Sequence, residues 1–413
     1  MNILLDAYDA QYGFGTGILT YLKNLYNILN KMHEVSLQYG LKNIDKELIK
    51  ETFLQDLSRH MKPSKISRIK QCLCLHKYFD IYLDENDIQL LGDSARIVSK
   101  HICNITGLYD YAPFYFKLTN KFYTMKNRHN FSIYHKPCPI PISLKDAINI
   151  TTIHDLIPLD FPSSTNINIT AYYKNIKSTI KYSDYIITVS QYSKKKIIER
   201  FAMDENKIKV IYNTSTLKNE VCGVASDWFI NKIETNFKLK YKEYMLFYGS
   251  IEPKKNVRRL IDAVLMSKTK MPLVIVSSFG WSNNDIYDLI NKNPEKIIHI
   301  NYLSYKDLAY LIKGACACVF PSLYEGFGLP VLEAMQLKCP VITSNVTSLP
   351  EVGGDAVHYV NPYDTADIAV AIDTVSNSKD YQKELIEKGC EQSKKFDPAK
   401  IEKATLDFYS AIL

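Results

Sequence analysis

The sequence predicts an α/β protein built from two doubly wound, Rossmann-like domains. Three observations carry that expectation. From Tyr241 onward, short apolar runs alternate with longer segments of helical period. Runs such as "LVIVSS" are hydrophobic on both faces, as central strands of a parallel sheet covered by helices must be. The chain of 413 residues, 46% hydrophobic and 23% charged, is also long enough to bury two cores.

The elements follow in order. A strand at Asn2 to Leu5 runs into "YGFGTG", where Gly13, Gly15 and Gly17 fall within five residues of a chain that has 15 glycines in all. Glycine lets the backbone come close to a ligand, and the helix that follows offers free N-terminal amides to an anion such as a diphosphate. The acid that a nicotinamide dinucleotide site needs about twenty residues on has no clear counterpart. From about Lys31 to Asn130 the composition, rich in Lys, Tyr and Asn, assigns no order of elements. Strands are then expected at Phe131 to His135, Asn149 to Ile153, Tyr185 to Val189 and Lys209 to Tyr212. Residues 1–213 read as the first domain and 214–240 as a linker. The second domain, 241–395, runs through "YMLFYG", "NVRRLIDAVLM", "PLVIVSS", "DIYDLINK", "KIIHIN", "YKDLAYLIKG", "CACVF", "LPVLEAMQL" and "PVITS" as strand and helix in turn. The last segment, 396–413, has an Asp cap and a proline at the first helical position of "DPAKIEKATLDFYSAIL".

Charge is unevenly spread. Residues 1–215 hold 28 Lys and Arg against 20 Asp and Glu, and the remainder hold 23 against 24, for a net +7. The excess suits an anionic partner near the first half, such as a phosphorylated acceptor or an anionic membrane surface. The basic, partly apolar stretch "KPSKISRIKQCLCLHKYF", residues 62–79, is where membrane or acceptor contact is expected, although a helix with its lysines in water fits it as well. Nothing points to nucleic acid as a partner. The start lacks the zones of a signal peptide, and no apolar run has the length of a membrane span, so a cytoplasmic protein is expected, peripheral at most to the inner face of a membrane. The nine cysteines form no CxxC pair. Cys316 and Cys318 share one face of a strand, which reads as core rather than as a metal site.

Two further stretches carry chemistry. In "FYGSIEPKKNVRRLIDA", Lys254 and Lys255 sit where a strand turns into a helix, placed to hold a phosphate leaving group by charge without a metal ion. In "YEGFGLPVLEAM", Gly326 and Gly328 can line up backbone amides, and Pro330 suits a first helical position. Glu325 then lies before the turn and Glu333 inside the helix, so the two carboxylates reach different parts of one elongated ligand. A carboxylate accepts both hydrogen bonds of a vicinal diol, which gives Glu333 a partner in a ribose and Glu325 one in a sugar.

These residues resemble the large retaining glycosyltransferase family 4. "EGFGLPVLE" is similar to its E-x7-E signature, and "TIHDLIPL", "GSIEPKKNVRRLIDA", "VFPSLYEGFGLPVLEAM" and "PVITSNVTSLPEVGGDAVHYVNPYD" fall in the family's order. The resemblance implies the GT-B fold, two Rossmann-like domains facing across a cleft that is the active site, with a C-terminal helix crossing back to the first domain. It implies His154 beside the donor sugar with Asp155 as its structural neighbour, Glu325 at the sugar and Glu333 at the ribose. It also implies amides of Gly326, Phe327, Gly328 and Leu329, ahead of Pro330, at sugar and phosphate, and Lys255 with Lys254 at the diphosphate. Gly13, Gly15, Thr16 and Gly17 fall beside the donor phosphates.

Ser250 stands where many members carry Arg, so the charge on the diphosphate falls to Lys254 and Lys255, a pattern similar to the "EPRKN" subgroup that often transfers mannose, and Thr214 stands where Gly is frequent. The implied activity is transfer of a hexose, GDP-mannose being the first choice of donor and a UDP-sugar the next. The acceptor is a hydroxyl of a glycan or lipid-linked molecule, as in surface polysaccharide synthesis. Configuration is retained by front-face displacement, and neither metal nor cofactor is expected. A metal-dependent GT-A transferase would need a DxD-like pair, which "YLDENDI" lacks. A nucleotide-sugar epimerase and a catalytically silent GT-B subunit are the alternatives.

Overall fold

Apolar runs in the first half become parallel strands ordered around the N-terminal one. A computed structural model describes residues 1–12, 17–41, 78–82, 99–223, 226–277, 284–301 and 303–413. The strands of the first half are β1 (Asn2–Asp6), β2 (Glu34–Tyr39), β3 (Tyr78–Tyr82), β4 (His101–Ile105), β5 (Tyr123–Met125), β6 (Ile133–Lys136), β7 (Ile142–Leu144), β8 (Ile148–Thr152), β9 (Tyr185–Thr188) and β10 (Ile208–Val210). Eight of them form one sheet in the order β10-β9-β8-β6-β1-β2-β4-β3, and β5 pairs with β7. All the neighbours in the large sheet are parallel except β3, which runs antiparallel to β4 at the edge. Chain order reverses between β1 and β6, so the loops that follow these two strands flank a crevice.

The second half repeats the plan with β11 (Met245–Tyr248), β12 (Leu273–Val276), β13 (Ile297–Ile300), β14 (Ala317–Phe320), β15 (Val341–Ser344) and β16 (His358–Val360). Their order, β13-β12-β11-β14-β15-β16, is that of a doubly wound sheet with its switch point between β11 and β14. β11, β12, β14 and β15 are buried along their whole length, which is why their sequences are apolar on both faces. Cys316 and Cys318 are buried in this core, as expected, and Cys339 Sγ lies 3.6 Å from Cys318 Sγ. Leu217, Val221, Phe229, Ile233 and Leu239, from the stretch read as a linker, pack into the same core.

The C-terminal helix Pro398–Ala411 crosses back as expected. Asp397 caps it by accepting from Ala399 N at 3.0 Å, and its Ile401, Phe408 and Tyr409 belong to the core of the first half. Tyr409 shares a hydrogen bond with His135 Nδ1 on β6, and His135 Nε2 lies 2.8 Å from Thr152 Oγ1. Burial pushes His135 down to about 3, so its ring is neutral in the folded protein.

The stretch from Lys31 to Asn130, left without an order by composition, contributes β2, β3, β4, the helix Leu108–Thr119 and β5. In β2 the buried polar residues are satisfied: Gln38 donates to Tyr39 O at 2.6 Å next to it in the chain, and Ser36 Oγ lies 2.9 Å from His101 Nδ1 on β4. Residues 62–77 of the basic stretch, with Cys72 and Cys74, lie outside the described residues, while Tyr78 and Phe79 belong to β3. Among the described residues no helix is long and apolar enough to cross a membrane.

Tyr409→Ala removes a fully buried ring and is expected to cost about 3–5 kcal/mol. Tyr409→Phe, which leaves His135 without that partner, is expected to cost about 1–3 kcal/mol. Denaturant unfolding of both variants measures the two losses, and a Tyr409→Phe variant as stable as wild type would mean that the hydrogen bond contributes nothing.

Candidate functional site

At the switch point of the second sheet, the loops after β11 and β14 are tied together. Gly249 ends β11 with φ 132°, a conformation that only glycine adopts without strain, and Ser250 follows it. Pro253–Lys255 makes a single 3-10 turn, and the helix Val257–Met266 begins after Asn256. Asn256 Nδ2 donates to Pro321 O (2.9 Å) and Pro362 O (2.7 Å), and Leu323 N donates to Lys254 O (2.7 Å). Held in this way, Lys255 Nζ donates to Glu325 Oε1 at 2.7 Å, and Ser322 Oγ donates to the same oxygen at 2.8 Å. The Lys255 and Glu325 side chains are only 16% and 13% exposed, so this pair is little screened by water. Lys254 lies 3.2 Å from Glu252. Burial works against its charge, yet Glu325, Glu252 and Asp155 together hold it above the ordinary ammonium range.

Glu333 lies on the helix Leu329–Gln336, at the other end of the same loop. Tyr248 OH donates to its Oε2 (2.9 Å) and Ser215 Oγ to its Oε1 (3.1 Å), and burial pushes its pKa up to about 7. Gly328 caps the helix at φ 111°, where a Cβ would also come within 2.9 Å of Leu349 Cδ2. Tyr248 OH also donates to Pro330 O at 3.0 Å, and Leu329 packs against the second core. The Phe327 ring is buried edge-on against Phe396, their centroids 5.4 Å apart, so its side chain belongs to the packing and only its backbone faces the loop.

The first half supplies His154 and Asp155, directly after β8. His154 Nε2–H donates to Pro137 O at 2.9 Å, which leaves Nδ1 as the ring's acceptor. Burial pushes this histidine down to about 4, so it is neutral near pH 7. Asp155 Oδ1 accepts from Ile157 N at 2.9 Å and thereby starts the short helix Ile157–Asp160. Gly326 docks onto these residues: a Cβ there would lie 3.0 Å from Asp155 Cβ, Asp155 Oδ2 and His154 O. Its carbonyl accepts from Ser190 Oγ at 2.7 Å. The helix Gln191–Phe201 is capped from the other half, where Glu351 accepts from Gln191 N at 2.8 Å. Tyr324 OH donates to Asp160 Oδ2 at 2.7 Å.

Of the residues singled out in the sequence, His154, Ser250, Lys254, Lys255 and Glu325 to Gly328 lie in the segments that follow β8, β11 and β14, and Leu329, Pro330 and Glu333 on the helix that follows Gly328. Gly13, Gly15 and Thr16 lie outside the described residues. Gly17 opens the helix Gly17–Leu29 with nothing within 4 Å of a Cβ. The contributions of Ser190, Ser215, Ser322 and Tyr248 were not legible, because each is a common residue whose role comes from a partner 3 to 136 positions away.

Two cavities open here. One of about 300 Å³ lies between Asp155, Ile157 and Ile167 on one side and Glu252 and Lys254 on the other. The second, about 750 Å³ and mostly apolar, shares Ile167 and sits over the crevice beside β1 and β6, walled by Tyr8, Tyr109, Phe116, Ile140 and Ile142. Next to it Asp6 accepts from Tyr8 N (2.9 Å) and from Tyr134 OH (2.6 Å), and burial pushes its carboxyl up to about 7.

Known proteins resemble this chain in sequence and in fold. Residues 230–392 match the family described as glycosyl transferases group 1, and residues 83–214 match glycosyltransferase family 4. The chain is 31% identical over 294 residues to O-antigen chain mannosyltransferase B of Escherichia coli, spanning 68% of this chain and 74% of that one. It is 30% identical over 234 residues to O-antigen chain mannosyltransferase RfbU of Salmonella typhimurium, 55% of this chain and 61% of the relative. The fold superposes on that of Anabaena Alr3699/HepE, solved in complex with UDP and glucose, with a TM-score of 0.68 over the full length of both chains at 16% identity. The protein therefore belongs to glycosyltransferase family 4 and has the GT-B fold.

Proposed function

We propose that the protein transfers a hexose, mannose from GDP-mannose in the first instance, to a hydroxyl of a glycan or lipid-linked acceptor in surface polysaccharide synthesis, with retention of configuration and without a metal ion. The observation that carries this reading is the Lys255–Glu325 pair set beside Glu333 at the β11/β14 switch point, where a doubly wound sheet takes its ligand. Likeness to two O-antigen mannosyltransferases at 30–31% identity supports the choice of sugar and the class of acceptor.

In the proposed reaction Glu333 accepts from the ribose diol and Lys255 and Lys254 hold the diphosphate. Glu325 and His154 Nδ1 face hydroxyls of the sugar. The backbone from Gly326 to Leu329, with Ser250, lies along the diphosphate. The bond from the anomeric carbon to the diphosphate oxygen breaks while the bond to the acceptor oxygen forms on the same face. The acceptor proton passes to the departing phosphate oxygen, so no side chain is needed as a nucleophile. The lysine charges offset the negative charge that gathers on the leaving group, which is the main electrostatic demand of the step.

The apolar cavity of about 750 Å³, with Lys117 and Lys174 in its lining, fits an acceptor that combines an apolar portion with an anionic group, as a lipid-linked one does. Such an acceptor suits an enzyme working in the cytoplasm at the inner face of a membrane.

Three measurements test the reading. Wild-type affinity for the nucleotide sugar is expected to rise as pH increases through about 7, because the Glu333 carboxylate, not the acid, accepts both ribose hydrogen bonds. Glu333→Gln is expected to weaken binding by about 1.5–3 kcal/mol and to flatten this profile. An unchanged affinity would remove Glu333 from the ribose.

Lys255→Ala is expected to lower turnover by about 10²–10³-fold. Chelator in the assay should leave the wild-type rate unchanged, and a loss restored by Mg²⁺ or Mn²⁺ would overturn the metal-free mechanism.

A panel of nucleoside diphosphate sugars, scored by binding and slow hydrolysis, is expected to favour GDP-mannose. Tight binding of UDP but not GDP would move the donor to a UDP-sugar. Conversion of a nucleotide sugar to its epimer without acceptor would replace transfer altogether.

A further inference from the structure

Away from the cleft, Asp80, His101, Cys103 and His129 bring one ligand atom each to within 4.8 Å of one another. The sheet makes this happen. In the antiparallel pair of β3 and β4, Asp80 lies directly opposite Cys103. His101 and Cys103, two apart on β4, share the face on which Asp80 sits. His129 comes from the loop before β6. His101 Nε2 lies 3.0 Å and His129 Nε2 2.8 Å from the same oxygen, Asp80 Oδ1, and Cys103 Sγ lies 3.9 Å from His101 Nε2. The donors on a tetrahedral zinc ion sit about 3.3–3.8 Å apart, so small side-chain shifts would seat one.

Without a cation the arrangement is crowded. Tyr78 OH also donates to Asp80 Oδ1 at 2.9 Å, so this one oxygen has three polar neighbours, the hydroxyl and two imidazole nitrogens. The Tyr78 hydroxyl further lies 2.8 Å from His129 Nε2 and 3.3 Å from Cys103 Sγ, so it sits against the middle of the set. On the far side of His101, Ser36 Oγ lies 2.9 Å from Nδ1 and fixes the ring with Nε2 aimed inward, the outer support that metal-bound histidines have. Cys103 is 1% exposed, and the His101, Asp80 and His129 side chains are 15%, 28% and 29% exposed, so the centre is shielded from solvent but reachable.

We propose that Asp80, His101, Cys103 and His129 form a zinc site that clips the antiparallel edge strand β3 to the body of the first half. A thiolate and two imidazoles select zinc over magnesium, calcium or manganese, and four protein donors make a closed, structural site. Tyr78 then turns its hydroxyl to an outer hydrogen bond. The site lies at the start of β4 and ahead of β6, whereas the cleft is lined by loops that follow strands, so it takes no part in transfer. Among the described residues β3 pairs only with β4, and the metal adds a bond from this strand pair to the loop before β6.

The test uses the full chain, stripped with a strong chelator and titrated with Zn²⁺ and Co²⁺. Expected are one Zn²⁺ per chain, a rise in melting temperature on adding it, and a Co²⁺ adduct with tetrahedral visible bands and a sulfur-to-cobalt charge-transfer band. Cys103→Ser should lose that charge-transfer band, and His129→Gln should weaken Zn²⁺ binding by more than about 100-fold. His129→Gln should keep wild-type turnover below its melting point. If either variant fails to fold, metal content and the Co²⁺ spectrum of the wild type still decide. No Zn²⁺ bound after titration, an octahedral Co²⁺ spectrum without sulfur bands, or a Cys103→Ser variant that binds as tightly as wild type would overturn the site.

Discussion

The cleft depends on one close approach. Gly326 lies tight against Asp155 and the backbone of His154, and its carbonyl is held by Ser190 across the domain boundary. A Cβ at position 326 would sit 3.0 Å from these atoms, so the two halves would have to give by a few tenths of an ångström to admit it. Its neighbour Tyr324 reaches Asp160 across the same boundary, while Glu325 meets Lys255 within its own half. The junction of the halves thus lies directly beside a charged pair.

Electrostatics in this place are balanced rather than one-sided. Lys254 and Lys255 meet Glu252, Glu325 and Asp155 within a small, poorly solvated volume. Carboxylates hold Lys254 in its charged form, despite burial that acts the other way. In the proposed reaction a diphosphate entering there takes over part of that role. Lys255 is then shared between Glu325 and phosphate, which links the grip on the sugar to the grip on the leaving group.

Much of this was legible in the sequence, for a physical reason. Strands buried on both faces, such as β11, β12 and β14, write themselves as unbroken apolar runs, and Gly326, Gly328 and Pro330 mark a turn and a helix start by residue type alone. The stretch between Lys31 and Asn130 was opaque because its strands carry buried polar residues such as Ser36 and Asn104, whose hydrogen bonds run to distant positions. Ser215 and Tyr248 could not be tied to Glu333 for the same reason, being 118 and 85 positions away. His101 and Cys103 share a face only once β4 is known to be a strand, and Asp80 joins them only through register. Thr214, unusual beside the glycine frequent in the family, donates its hydroxyl to Phe396 O at 2.8 Å and so ties the first crossing between the halves to the second.

That second crossing bears on how the protein is made. Ile401, Phe408 and Tyr409 complete the core of the first half, yet they are synthesised after every strand of the second. Domains generally fold in the order in which they leave the ribosome. Here the earlier half must wait, with the groove between the helix Gly17–Leu29 and its sheet uncovered, until the later half has been translated. A chain interrupted anywhere before the last helix would expose that apolar groove, which makes the final helix a check that translation has run through both halves.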